Sequence, residues 1–180
     1  MHVIIDVDYR TKKDDGVAVG CDWAVVAGLT FQDWQSDVIS ETYIKVLDEV
    51  APYEPGQFYK RELPCLLALI AKMPFTPSCI IIDGYVTLGE EKRDGLGAYL
   101  YRALGEKIPV IGIAKNRFAD TPAACEVLRG KSQNPVFVTC MGMALEAATH
   151  RVQTMHGAYR LPTLAKAVDS ECRQAERHQG

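Results

Sequence analysis

Several features are missing from this 180-residue chain, and each absence excludes a class of protein. No apolar stretch approaches the roughly 20 residues needed to span a bilayer. The N-terminal run Val3-Ile4-Ile5 is too short for the hydrophobic part of a secretion signal, and Asp6 breaks it. There is no internal repeat, low-complexity tract or Ser/Gly-rich linker, so residues 1–180 are expected to form one domain. None of the six cysteines stands in a C-x-x-C pair, and most sit inside apolar runs such as Leu63-Pro64-Cys65-Leu66-Leu67. That placement predicts buried thiols in a reducing cytoplasm, not a disulfide framework or a zinc site. A surplus of positive charge is missing too. With 20 Lys and Arg against 23 Asp and Glu the net charge is −3, so contact with nucleic acid would need a local basic patch.

What is present divides into two textures. His2 to Tyr9 reads as a strand with Asp6 and Asp8 on one face. Arg10 to Gly16 is a polar turn suited to a hairpin, and Gly16 to Thr30 and Val38 to Leu47 follow as further strands. Pro64 then fits the first turn of a helix, with Leu63, Leu66, Leu67, Ile70 and Met73 at helical spacing. Buried strands are expected at Cys79–Asp83, Ile108–Lys115 and Val136–Cys140, with helices at Gly95–Lys107, Ala144–Met155 and Leu164–Glu176. Three antiparallel strands followed by alternating helices and parallel strands give an α/β fold with the mixed sheet of ribonuclease H-like proteins. A flavodoxin-like sheet ranks second: it opens βαβ, and no Gly-rich phosphate loop supports it.

Carboxylates in apolar settings are the chemical candidates. Asp6 interrupts a core strand, and Asp83 ends Ile80-Ile81-Ile82. A buried carboxylate costs several kcal/mol, on the order of its desolvation penalty, unless it is paired or metal-bound. On neighbouring strands the two would lie roughly 5 Å apart, a spacing suited to a shared Mg²⁺, and Glu62 could lean over the same point. An Asp before Gly is also a common turn-former, and Asp6 could pair with Arg or Lys. The pattern alone does not choose between these readings.

Longer motifs point to a family. Pro52-Tyr53-Glu54-Pro55-Gly56-Gln57-Phe58-Tyr59-Lys60-Arg61-Glu62 resembles the endonuclease V motif PYxPGxxxxRE. Ile82-Asp83-Gly84 resembles its DG strand end, Ile108–Lys115 its PxxGVAK strand, and Ala158-Tyr159-Arg160-Leu161-Pro162 its GYRLP segment. The resemblance implies Mg²⁺-dependent hydrolysis, with Mn²⁺ able to substitute, of a phosphodiester 3′ to inosine or a related lesion in DNA or RNA. It further implies Asp6 and Asp83 as metal ligands, Glu62 as a third essential carboxylate and Lys115 as the active-site lysine. Pro52, Tyr53, Glu54 and Pro55 would form a wedge at the modified base, with Gly84 and Tyr85 beside it. The expected partner is nucleic acid carrying inosine or a distorted base, bound by a cytoplasmic monomer without membrane attachment.

The sequence also departs from the family pattern. Tyr85 follows the DG pair where a histidine is usual, and Met141 falls where a groove histidine is expected. Glu146 matches an acidic position, and His150 and His156 are expected on the solvent side of the next helix. The family's N-terminal helix has no counterpart ahead of Asp6. Retained carboxylates favour a nuclease, whereas the lost histidines and the acidic balance favour a nucleic-acid binder on the same fold that no longer cleaves.

Overall fold

The computed structural model describes residues 1–11, 13–14, 17–18, 23–51 and 54–175. The elements are β1 (His2–Arg10), β2 (Lys13–Asp14), β3 (Val17–Ala18), β4 (Trp23–Phe31), β5 (Glu41–Leu47), α1 (Tyr59–Ile70), β6 (Ile80–Asp83), β7 (Thr87–Leu88), β8 (Arg93–Asp94), α2 (Leu96–Ala103), β9 (Val110–Ala114), β10 (Glu126–Val127), β11 (Val136–Met141), α3 (Leu145–Thr154) and α4 (Thr163–Gln174). Seven strands form one sheet in the order β10-β11-β9-β6-β1-β4-β5. The meander β1-β4-β5 is antiparallel, and β6 and β9 run parallel to β1. This is the mixed sheet expected from the sequence. Residue 16 and residues 19–22, within the expected second strand, lie outside the described residues.

Three details differ from expectation. The expected parallel pairing stops at β9, because β11 is antiparallel to it. A parallel return needs a crossover, usually helical, but Lys115–Pro135 supplies only a 3₁₀ turn at Ala123–Cys125 and the short β10, which hairpins onto β11. Helix α1 begins at Tyr59, so Pro64 lies inside it and Glu62 stands in its first turn instead of ahead of it. The carbonyl that Pro64 leaves without a helical partner belongs to Lys60, at the exposed start of the helix, where water can satisfy it. The third strand begins at Glu41; Val38 and Ile39 are exposed ahead of it.

Side-chain alternation along the strands fills two cores. Val3, Ile5, Ile80, Ile82 and Val110 pack beneath α1 and α2, against Leu66, Leu69, Ala98 and Leu100. On the other face Ile4, Ile81, Ile111, Ile113 and Val138 pack against Val152 of α3 and Leu164, Val168 and Cys172 of α4. Each of these large side chains, fully buried, contributes roughly 1.5–3 kcal/mol of hydrophobic stabilisation. Five of the six cysteines are described, and all five are free thiols: Cys65, Cys79, Cys125 and Cys172 are buried and Cys140 half-buried. Among the described residues no helix is long and apolar enough to cross a membrane.

The segment after β6 is held by glycines. A Cβ on Gly112 of β9 would stand 2.4 Å from the Gly84 carbonyl oxygen, and one on Gly97 of α2 would stand 2.5 Å from Val86 Cγ2. The chain at 84–86 thus lies between strand and helix with no room for a methyl group, and the Val86 amide donates to Thr139 Oγ1 at 2.8 Å. Gly112→Ala should therefore cost on the order of 1–3 kcal/mol, as overpacking of a filled interior does, measured by chemical denaturation. Leu128→Ala, at a side chain 53% exposed, should change stability little. Equal stability of Gly112→Ala and wild type would contradict this clamp.

Candidate active site

The β1–β6 register pairs Ile5 with Ile82, so Asp6 and Asp83 follow side by side where the parallel pairing ends, Asp6 midway along β1 and Asp83 as the last residue of β6. Counting by twos, Asp6 shares a face with Ile4, Asp83 with Ile81, and Lys115 with Ile113, all on the α4 side of the sheet. Accordingly Asp6, Asp83 and Lys115 line one small cavity, floored by Ile4 and Ile113 and walled by Leu161, Ala165 and Val168. Lys115 Nζ donates to Asp83 Oδ2 at 2.5 Å, and the Val7 amide donates to Asp6 Oδ1 at 2.8 Å.

The carboxylates act on one another. Burial first, then repulsion from Asp83, pushes the Asp6 carboxyl up to about 6, against the pull of the Val7 amide and Lys115. Glu62 stands in the first turn of α1, on the opposite face of the sheet, outside the cavity but within the field of Asp6 and Asp83. It is only 6% exposed, and no hydrogen bond or ion pair from a described residue reaches its carboxylate. Burial, then the charges of Asp6 and Asp83, raise it to about 8. Burial acts to lower the Lys115 ammonium, but its hydrogen bond to Asp83 and the nearby carboxylates outweigh that and hold it above its ordinary value. The Tyr9 hydroxyl lies buried near Glu62 without a hydrogen-bond partner and is also raised, chiefly by burial.

Asp169 is a further acidic group that the sequence reading missed. It stands on the face of α4 that meets β1: Ala165 and Val168 on this face line the cavity, and the Cys172 thiol donates to the Asp6 carbonyl at 3.0 Å. The charge of Asp169 is felt at both Asp6 and Lys115. Arg10, at the end of β1, donates to the carbonyls of Cys172 (2.8 Å), Arg173 (2.8 Å) and Ala175 (2.9 Å), tying the end of α4 to β1. The usable signal was the period Ala165, Val168, Asp169, Cys172, which puts Asp169 on the buried stripe of a helix.

Could these residues hold a divalent cation? All the donors are carboxylate oxygens, the choice of a hard ion, and Glu62 is buried without a partner. Among the described residues no three Asp, Glu, His or Cys side chains close into a metal cage. Mg²⁺ does not require one, since it is commonly held by one or two carboxylates together with waters and substrate phosphates. The donor set fits such an ion.

The remaining expected site residues divide. Gly84, at φ +117°, donates its amide to the Ile113 carbonyl at 3.1 Å. Tyr85 is fixed by its hydroxyl, which donates to the Asn116 carbonyl at 2.8 Å and accepts from the Phe118 amide at 3.0 Å. Both line a pocket of about 320 Å³ beside Asp83, together with Gly56, Phe58, Tyr59 and Leu96. Glu54 and Pro55 are exposed in the turn leading to it, where Glu54 faces Lys60 at 3.5 Å. Pro52 and Tyr53 lie outside the described residues. Met141 pairs with Val110 at the opposite end of β9 from Lys115, so the position expected for a groove histidine is remote from the carboxylates. Glu146 and His150 are exposed on α3. His156 falls beyond the end of that helix, not on it, and shares a hydrogen bond with Thr163 Oγ1 at 3.0 Å.

The raised carboxyls fix a pH dependence. A carboxyl held above its ordinary value in the folded state contributes stability at low pH that is lost as pH rises through the folded value. For Glu62 that window runs from about 4.5 to about 8. In metal-free buffer Glu62→Gln, which cannot ionise, should gain Tm relative to wild type across this range. A constant difference between the two proteins from pH 4 to pH 9 would contradict the burial and repulsion described for Glu62.

Known proteins resemble this chain over most of its length. The family model for endonuclease V matches residues 2–129. Endonuclease V of Streptomyces avermitilis is 30% identical over 192 residues, spanning 95% of this chain and 78% of that protein. The one from Xanthomonas axonopodis pv. citri is 31% identical over 165 residues, spanning 79% and 68%. The crystal structure of the Streptomyces avermitilis enzyme superposes with a TM-score of 0.70 at 27% identity, covering 96% of this chain and 80% of that one. Ciona intestinalis endonuclease V, solved with a 24mer DNA containing an inosine followed by a ribo-adenosine, superposes at 0.67 and 18% identity, covering 96% and 84%, a likeness of fold. The sheet is therefore ribonuclease H-like, and the chain belongs to the endonuclease V family.

Proposed function

We propose that this protein is a divalent-metal-dependent endonuclease that hydrolyses a phosphodiester bond 3′ to a deaminated base, inosine or deoxyinosine, in nucleic acid. The observation that carries the proposal is the convergence of Asp6, Asp83 and Lys115, from three neighbouring strands, on one cavity, with Glu62 near them in the opposite layer. Family membership supports the class of reaction, and a relative solved with inosine-containing DNA supports the class of substrate.

Each residue has a role that follows from its position. Asp6 and Asp83 would hold Mg²⁺ or Mn²⁺, which activates water as a nucleophile and neutralises charge on the phosphate. Lys115 presents a compact cation at the same point and would move from Asp83 to the phosphate as the transition state gains charge. Glu62, buried in the opposite layer within the field of Asp6 and Asp83, would be the group that accepts or returns a proton. The attacking water oxygen bonds to phosphorus while the phosphorus–oxygen bond to one sugar breaks, and the departing sugar oxygen takes up a proton. The pocket beside Asp83, with Phe58, Tyr59 and Tyr85 at its walls, offers stacking faces for a base turned out of its duplex. A mispaired, deaminated base leaves the stack at lower cost than a normal one.

Two outcomes test this reading. Saturating Mg²⁺ or Mn²⁺, at about a hundred times Kd, should stabilise the protein by about 2.7 kcal/mol, or roughly 5–10 °C in Tm, through binding to the native state alone. Asp83→Asn should lose most of that response, and an equal response in both proteins would place the metal elsewhere. Cleavage of inosine-containing single- and double-stranded DNA and RNA should require the metal. Asp6→Ala should reduce it by on the order of a hundredfold or more, the scale for losing one group that stabilises transition-state charge. Wild type cleaving no faster than Asp6→Ala on every substrate would favour the non-cleaving binder.

A further inference from the structure

A second concavity of about 840 Å³ adjoins the carboxylate cavity and shares Lys115 and Leu161 with it. Its walls are the loop at Gly130–Ser132 and the segment Ala158–Leu161, with Lys166 of α4 above. Four of its lining residues are cations (Lys115, Lys131, Arg160 and Lys166) and none is acidic, on a chain whose net charge is −3. Lys131 and Lys166 are exposed, and neither has a carboxylate partner among the described residues. Beside them Tyr159 is 69% exposed, with Lys166 Nζ 4.3 Å from its ring centroid. An exposed tyrosine with one lysine over its ring and a second lysine lining the same groove combines an aromatic face for stacking with charges for phosphate.

The walls are built to keep this shape. Arg129 is 3% exposed and has no carboxylate partner among the described residues. Its guanidinium donates to main-chain carbonyls instead: that of Met155, that of Tyr159 at 3.0 Å, and more distantly that of Arg160 at 3.4 Å. Arg160 in turn donates to the carbonyls of Lys115 and Pro135. Gly130, at φ +58°, lies so near the neighbouring wall that a Cβ there would stand 2.0 Å from the Ala158 carbonyl oxygen. A buried arginine and a backbone contact thus fix the two walls to each other and to the strand end that carries Lys115.

We propose that this groove binds a single-stranded stretch of nucleic acid leading away from the carboxylate site, with Lys131 and Lys166 on its phosphates and Tyr159 stacked on one of its bases. The inference rests on the nucleic-acid reading of the site above and adds the path of the strand. A duplex keeps its base faces inside the stack, so only an unpaired strand can offer one to Tyr159. Charge complementarity against an acidic background selects a polyanion, and continuity through Lys115 connects it to the point of cleavage.

The test is fluorescence anisotropy with a labelled oligothymidylate, free of inosine, in buffer with EDTA, across a salt series. Lys131→Ala/Lys166→Ala should flatten the slope of log affinity against log salt by about 1.4, at roughly 0.7 per phosphate contact on single strands. Tyr159→Ala should weaken binding by about fivefold or more, the scale for losing one base–aromatic stack, with the slope unchanged, and Tyr159→Phe should restore it. A blunt duplex of the same length should compete less well than the single strand. Wild-type slope and affinity in the double variant, or equal competition by the duplex, would overturn the groove. The two readings fail separately. Groove-dependent binding without metal-dependent cleavage contradicts the nuclease alone, whereas cleavage with unaltered binding in the groove variants contradicts the groove alone.

Discussion

The parallel pairing of β1 with β6 is the constraint on which the rest depends. Its register, Ile5 opposite Ile82, sets two carboxylates next to each other where the pairing of these two strands ends. Sheet geometry puts them roughly 5 Å apart, and a one-residue slip would turn one of them to the other face. The hydrophobic alternation prevents that slip, since Ile4 and Ile81 belong to one core and Ile5 and Ile82 to the other. The apolar residues hold in place an arrangement that is electrostatically unfavourable by itself. Asp6 and Glu62 register the strain as raised carboxyls.

The α4 layer is brought to this point by hydrogen bonds to main-chain carbonyls. The Cys172 thiol meets the Asp6 carbonyl, and Arg10 collects three carbonyls at the end of α4. Asp169 is thereby carried to the cavity edge, where its position is also shaped by Arg173 at 3.0 Å on the same helix. On the other layer, the first turn of α1 delivers Glu62 beside the ring of Tyr9, over which Arg61 lies at 4.1 Å. Among the described residues Lys115 is the cation bonded to this carboxylate pair, and its contact with Asp83 shows where positive charge is wanted.

Much of this was legible in the sequence. The meander, the apolar strands, the place of Asp6 within a core strand and the strand-end placement of Asp83 and Lys115 follow from alternation and from runs that stop at a charge. The reversal of β11 was not, because strand direction depends on what fills the connection, and Lys115–Pro135 has no periodic pattern to betray the missing helix. Motif matching put a groove histidine at Met141, yet antiparallel β11 carries that residue to the far end of β9. Asp169 went unread since a single acid on a polar helix looks like solvent-facing charge until its neighbours are seen to pack. Arg129 was invisible for a similar reason: its partners are carbonyl oxygens, which carry no residue identity.

The central claim is that the Asp6–Asp83 pair is a divalent-metal site. The most direct measurement is an anomalous difference map from a crystal soaked in Mn²⁺. The account predicts a peak within about 2.1 Å of an oxygen of each aspartate, the distance expected for an octahedral hard ion. Lys115 should be displaced from Asp83 as the peak appears. A map with no peak at this position, Lys115 still bonded to Asp83 and manganese bound only at other carboxylates, would contradict it.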